Sequence, residues 1–144
     1  MQISTRGRYG LRAMVDLAMH NQEGPLALRV IAERQEISES YLEQVFTSLR
    51  KASLVRASRG AQGGYELVRL AKDITVGDVL RALEGPIAPV LCVENEQCDR
   101  EKHCITRWFW QDLKEVIDTF LDATTLQDLA DRALSGDVNV MYYI

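Results

Sequence analysis

Between residues 4 and 21 the apolar side chains Leu11, Met14, Val15, Leu17 and Ala18 recur at helical spacing, predicting a first helix from about Ser4 to Asn21. The breakers Gly24 and Pro25 end it. A second helix is expected over about Leu26 to Gln35, with Val30 and Ile31 facing inward. After the short turn "EISES", Ser38 is a good N-cap for a third helix whose inner face carries Leu42, Val45, Phe46 and Leu49. Glu39 and Glu43 near its start suit the positive end of the helix dipole. Over residues 53–70 the apolar period falls to about 2. "SLVRASRGAQGGYELVRL" reads as strand, glycine turn and strand, with Leu54, Val55, Tyr65, Leu67 and Leu70 apolar and Gly60, Gly63 and Gly64 in the turn. A fourth helix is expected from about Val76 to Leu83, capped by Thr75 and stopped at "EGP". A long helix follows from about Ile105 to Leu121. Its Phe109, Leu113, Val116 and Phe120 form a seam suited to a partner helix, with Trp108 and Trp110 beside it. A short helix near Thr125–Ala133 and the tail "DVNVMYYI" close the chain.

This order of helices and basic hairpin is that of a winged helix-turn-helix. The expected fold class is mainly α (α+β), a winged helix-turn-helix DNA-binding domain with a long dimerisation helix. Residues 1–84 form the DNA-binding domain, 85–104 a cysteine-bearing loop, and 105–144 the dimerisation helix, C-terminal helix and tail.

Length and composition narrow the class. A chain of 144 residues is about one domain, and 26% charged residues beside 47% hydrophobic ones argue against disorder. Apolar runs are too short to span a membrane. "MQISTRGRYGLR" has no apolar run after its basic residues, so it does not read as a signal peptide and a cytoplasmic location is expected. The net charge of −4 conceals an asymmetry: residues 1–70 carry +3 and residues 71–144 carry −7. A basic first half suggests a polyanionic partner. No glycine-rich nucleotide loop with a following lysine and no nucleophile–base motif is present, so an enzyme is not expected.

The third helix carries polar side chains where a recognition helix enters the major groove: Ser38, Glu39, Ser40, Tyr41, Glu43 and Gln44. Gln44 can pair with adenine, and Glu43 can accept from a cytosine amino group. The serine and tyrosine hydroxyls suit phosphate oxygens. In the hairpin, Arg56 and Arg59 flank a turn whose glycines, Gly60 among them, let backbone approach a groove, and Arg59 suits the minor groove. Arg6, Arg8, Arg50 and Lys51 suit phosphates. The same features also describe a solvated helix face, or a helix-turn-helix that binds protein. All three cysteines, Cys92, Cys98 and Cys104, lie in "CVENEQCDREKHC". This spacing is neither that of a zinc ribbon nor that of a bacterial ferredoxin. Spacing alone leaves a metal or cluster site, redox thiols and incidental cysteines open.

"STRGRYGLRAM", "SESYLEQVFTSLRKASLV", "RGAQGGYEL", "ITVGDVLRALEGP" and the spaced cysteines, in this order over nearly the whole chain, resemble the Rrf-type winged-helix regulators, most of all their iron–sulfur-regulator branch. The resemblance implies a homodimer whose long helix crosses its partner, a palindromic double-stranded DNA operator, and an iron–sulfur cluster of the 2Fe-2S type. It assigns Ser38, Ser40, Glu43 and Gln44 to the recognition helix, Arg59 and Gly60 to the wing, and Cys92, Cys98 and Cys104 to the cluster. The chain departs from that branch at the fourth ligand. A histidine is expected three residues after the third cysteine, where this chain has Arg107, and a guanidinium stays protonated. Another branch places an acidic residue near the N-terminus, where this chain has Arg8. His103 is the candidate fourth ligand; Glu94, Glu96, Asp99, Glu101, an exogenous thiol or water are the alternatives. The end "VMYYI" resembles the cysteine-metabolism branch and implies association with cysteine synthase through Ile144, against plain packing of the tail on the dimer. The leading expectation is a regulator that senses iron–sulfur cluster status and controls cluster-assembly or iron genes. The alternative regulates cysteine and sulfur metabolism through thiol redox state or the partner enzyme.

Overall fold

A computed structural model describes residues 1–61, 63–94 and 98–136. α1 (Thr5–Met19) starts at Ser4, whose hydroxyl accepts from the Gly7 N–H, and it ends two residues earlier than its periodicity suggests because Asn21–Glu23 tighten into a 3-10 turn. α2 (Leu28–Gln35) also starts two residues late. Leu26 explains this: its N–H donates to the Tyr65 carbonyl at 2.9 Å and its carbonyl accepts from the Tyr65 N–H at 2.8 Å. A residue bonded to a strand in this way cannot open a helix. The approach depends on Gly64, since a methyl there would overlap the Leu26 backbone.

α3 (Glu39–Lys51) follows a turn in which Glu36 adopts a left-handed φ of 55°. Its inner residues Leu42, Val45, Phe46 and Leu49 are fully buried, as the spacing predicts. β1 (Val55–Ser58) pairs antiparallel with β2 (Gly64–Leu67), in the register Val55 to Leu67 and Ser58 to Gly64. Phe46 meets the Tyr65 ring edge-on at 5.0 Å between centroids, so the wing is pinned to the third helix through the core. The winged helix-turn-helix expected from the pattern is therefore the observed fold.

α4 (Val76–Glu84) and α7 (Leu126–Leu134) begin alike. Thr75 with Asp78, and Thr125 with Asp128, each form a reciprocal capping box. The two starts are tied together: the Val76 N–H donates to the Thr124 carbonyl and the Leu126 N–H to the Ile74 carbonyl, at 2.8 and 2.9 Å. The last helix thereby returns to the body, and its Leu126 is fully buried in one core with Met14, Leu17 and Phe46. Between them lie a short α5 (Leu91–Glu94), which the sequence pattern does not reveal, and α6 (Arg107–Ala123).

α6 has no fully buried residue. One side meets α4 through Ile117 and Leu121, packed near Val76 and Leu80. Arg81 of α4 adds ion pairs to Asp122 at 2.6 Å and Asp118 at 3.0 Å, and Lys114 reaches Asp118 at 2.5 Å. Burial alone would raise the Asp118 pKa, but the hydrogen bonds from Lys114 and Arg81 outweigh it and hold the carboxyl below its ordinary value. The other side leaves Phe109, Val116 and Phe120 46, 64 and 70% exposed. No helix among the described residues is long and apolar enough to cross a membrane.

Candidate nucleic-acid interface and cysteine loop

The start of α3 gathers most of the candidate reading residues. Ser38 caps the helix by accepting from the Tyr41 N–H at 3.3 Å, and its hydroxyl lies 2.9 Å from that of Ser40. Ser38, Glu39, Ser40, Glu43 and Gln44 are exposed, which leaves their polar groups available to a groove. Tyr41 differs: it is half-buried, edge-on to Tyr9 at 6.1 Å, so its ring is a packing element between α1 and α3. Arg50 and Lys51 are exposed at the other end of α3, about 15 Å along the axis from Ser40 at the standard helical rise. They also complement the negative end of the helix dipole.

Basic residues of α1 flank this surface. Arg6 donates to the Ser48 hydroxyl of α3, and Arg8 donates to Thr5 at 3.2 Å. In the wing, Arg59 is exposed beside Gly60, whose φ of 112° is a turn geometry that favours glycine. Arg56 is not poised in the same way, because it pairs across the strands with Glu66 at 2.7 Å.

Sequence reasoning overlooks the group that ties α1 to the first helix of the helix-turn-helix. Asp16 is a buried carboxylate, 3% exposed, that accepts from Arg34 Nε at 3.0 Å and Nη2 at 2.5 Å and from Gln35 at 2.8 Å. The same contact raises the Arg34 pKa, chiefly by its hydrogen bond to Asp16. A buried charge left unpaired costs about 3–5 kcal/mol, so this junction between α1 and α2 is strongly constrained. Its signal in the sequence is a lone acid on the apolar stripe of Met14 and Leu17.

The cysteines lie in the segment that links α4 to α6. Cys92 is on α5, and Cys98 and Cys104 are in the turns that follow; all three are half-buried and not disulfide-bonded. The Cys104 thiol is pushed below its ordinary pKa, first by a hydrogen bond with the Thr106 hydroxyl at 3.6 Å. His103 is exposed on the turn, and Glu96 lies outside the described residues. Arg107 turns back to Glu101 at 3.3 Å, with its side chain only 14% exposed and Nη1 buried without a hydrogen-bond partner among the described residues. Among the described residues no three histidine, cysteine or acidic side chains are gathered as a metal site. The donors nonetheless fit a soft metal centre in kind: three thiols, with a cation and not a ligand at Arg107.

The Rrf2 profile, described as an iron-dependent transcriptional regulator, matches residues 3–132. The chain belongs to the Rrf2 family of transcriptional regulators. It is 44% identical over 144 residues to the regulator CymR of Bacillus subtilis (strain 168), covering all of both chains. It is equally 44% identical over 132 residues to the regulator IscR of Serratia proteamaculans (strain 568), covering 92% of this chain and 80% of that one. The solved structure of B. subtilis CymR, described as the global cysteine regulator, superposes with a TM-score of 0.77 at 46% identity, covering 91% of this chain and 97% of that one. These relatives are transcriptional regulators and not enzymes, and Rrf2 regulators bind DNA and are typically dimers. This Rrf2 chain is thus a DNA-binding transcriptional regulator, equally similar to a cysteine regulator and to IscR.

Proposed function

We propose that this Rrf2 regulator reads a palindromic operator as a homodimer and reports iron–sulfur cluster status through Cys92, Cys98 and Cys104. One observation carries the reading. The three thiols sit on the segment between α4, which belongs to the DNA-binding body, and α6, whose Phe109, Val116 and Phe120 are exposed. Glu43 and Gln44 contact bases, the Ser38 and Ser40 hydroxyls face phosphate oxygens, Tyr41 helps hold that helix end, and Arg59 with Gly60 approaches the minor groove. Arg6, Arg8 and Arg50 contact phosphates. A partner's α6 covers the exposed apolar face. When bound, an iron–sulfur cluster supplies a labile centre whose occupancy responds to iron and oxidants. The three thiolates hold it, and His103 is the candidate fourth ligand, since Arg107 is protonated and engaged with Glu101.

The test is a titration of one duplex, enriched from a random pool by the wild-type protein, with metal-free and anaerobically loaded protein. A difference in affinity between the two forms is expected. Identical curves for both would remove the sensing role of the loop.

A second reading has its own support. The likeness to CymR covers the whole chain, and the Cys104 thiol is biased toward thiolate, first by Thr106 and also by the Arg107 backbone N–H and the charge of Arg100. On this reading the protein regulates cysteine and sulfur metabolism through thiol oxidation or through cysteine synthase bound at the tail. Tyr143 and Ile144 lie outside the described residues. Loss of DNA binding on mild oxidation, reversed by dithiothreitol in iron-free protein, would favour it.

A further inference from the structure

We propose that Glu84 is a positioning residue that sets the basic end of α1 against the recognition helix. The proposal rests on the reading of Arg6 as a phosphate contact. Glu84 is the last residue of α4, directly before the connector that carries the cysteines. One of its carboxylate oxygens, Oε1, accepts from the backbone N–H groups of Ser4 and Gly7, each at 3.0 Å, and from the Ser4 hydroxyl. These are donors at the start of α1 that its own hydrogen-bonding ladder cannot satisfy. Ser4, the local cap, is the weaker partner, with its oxygen 3.4 Å from the Gly7 N–H. A residue 77 positions away therefore supplies much of the cap, with a full negative charge at the positive end of the helix.

The packing is close enough to transmit position. A methyl at Gly7 would overlap the Glu84 carboxylate, and one at Gly10 would overlap Leu83. From the start of α1, Arg6 reaches the Ser48 hydroxyl on α3. One turn before Glu84, Arg81 grips Asp118 and Asp122 of α6. α4 is thus joined to α6 on one side, and its last residue holds the helix end that carries Arg6 and Arg8. Two effects of Glu84 on DNA binding oppose each other. Its charge repels phosphates at long range, screened over about 8 Å at physiological salt. Its hydrogen bonds hold Arg6 in place at short range. Because Oε1 already accepts three donors, the positioning effect dominates.

The experiment compares full-length wild type with Glu84→Ala, Glu84→Gln, Arg6→Ala and the Arg6→Ala/Glu84→Ala pair. Fluorescence anisotropy on the wild-type-enriched duplex is followed over a salt series. Glu84→Ala is expected to bind about 10-fold more weakly and to lose about one unit of salt slope, as Arg6→Ala does. The pair is expected to be no weaker than Arg6→Ala alone. Glu84→Gln keeps an acceptor oxygen and stays within about 3-fold of wild type. If the alanine variant does not fold, Glu84→Asp, whose carboxylate is withdrawn by one methylene, carries the same expectation. A cap that only stabilises the fold would lower the melting temperature and leave the salt slope alone, which would overturn the proposal. So would additive losses in the pair, or equal tightening by the alanine and glutamine variants. An unchanged slope for Arg6→Ala would instead show that the phosphate reading beneath it is wrong.

Discussion

Aspartate at both Val116 and Phe120 is expected to leave the protein monomeric and to weaken operator binding by about 100-fold. The two side chains are 64 and 70% exposed in the single chain, so charging them removes no intramolecular core. The inner side of α6 is held separately by Ile117, Leu121 and the Arg81 ion pairs with Asp118 and Asp122, and the helix should remain docked on α4. What is lost is the apolar face offered to a second copy, and with it the tethering that makes the second half-site contact intramolecular. Light scattering after size exclusion reads the mass, and anisotropy reads the affinity. A dimer that survives both substitutions would place the interface elsewhere.

Glu43→Ala and Arg50→Ala should separate base reading from phosphate contact. Both side chains are exposed on α3, but Glu43 lies in its first half and Arg50 in its last turn. A carboxylate facing DNA is repelled everywhere except beside a donor such as the cytosine amino group, so it discriminates more than it attracts. Its removal is expected to reduce the preference for the enriched duplex over a scrambled one by about 1–3 kcal/mol per half-site. In a dimer that loss counts twice. Arg50→Ala should weaken both duplexes alike and reduce the salt slope by about one. A Glu43→Ala variant that shifts enriched and scrambled DNA equally would assign Glu43 no reading role.

Local features of this protein were legible in the chain, and tertiary ones were not. The spacing of Leu42, Val45, Phe46 and Leu49 reports a buried helix face because helical period and burial act within a few residues, and all four are buried. The caps Ser38 and Thr75 are legible for the same reason, and the structure adds Ser4 and Thr125 as caps at the other two expected starts. The late start of α2 is not, since it depends on Leu26 pairing with Tyr65 across 39 residues of chain. Asp16 shows only as a lone acid on an apolar stripe until Arg34 and Gln35 are brought to it, and Glu84 looks like an ordinary solvated acid until the start of α1 is. Arg56 reads as a free cation flanking the wing turn until Glu66 appears opposite it in the strand register. In the cysteine segment the donor types are legible, whereas the fourth position depends on where Arg107 and His103 point.

The question that divides the iron–sulfur reading from the thiol reading is what the three cysteines hold. Purification without oxygen, followed by absorption spectroscopy and assay of iron and sulfide, answers it most directly. A cluster-bearing regulator should be coloured and carry about two iron and two sulfide per chain, with both lost in Cys98→Ser. Colourless protein with three titratable thiols, after reconstitution with iron and sulfide as well as before it, would contradict the cluster reading.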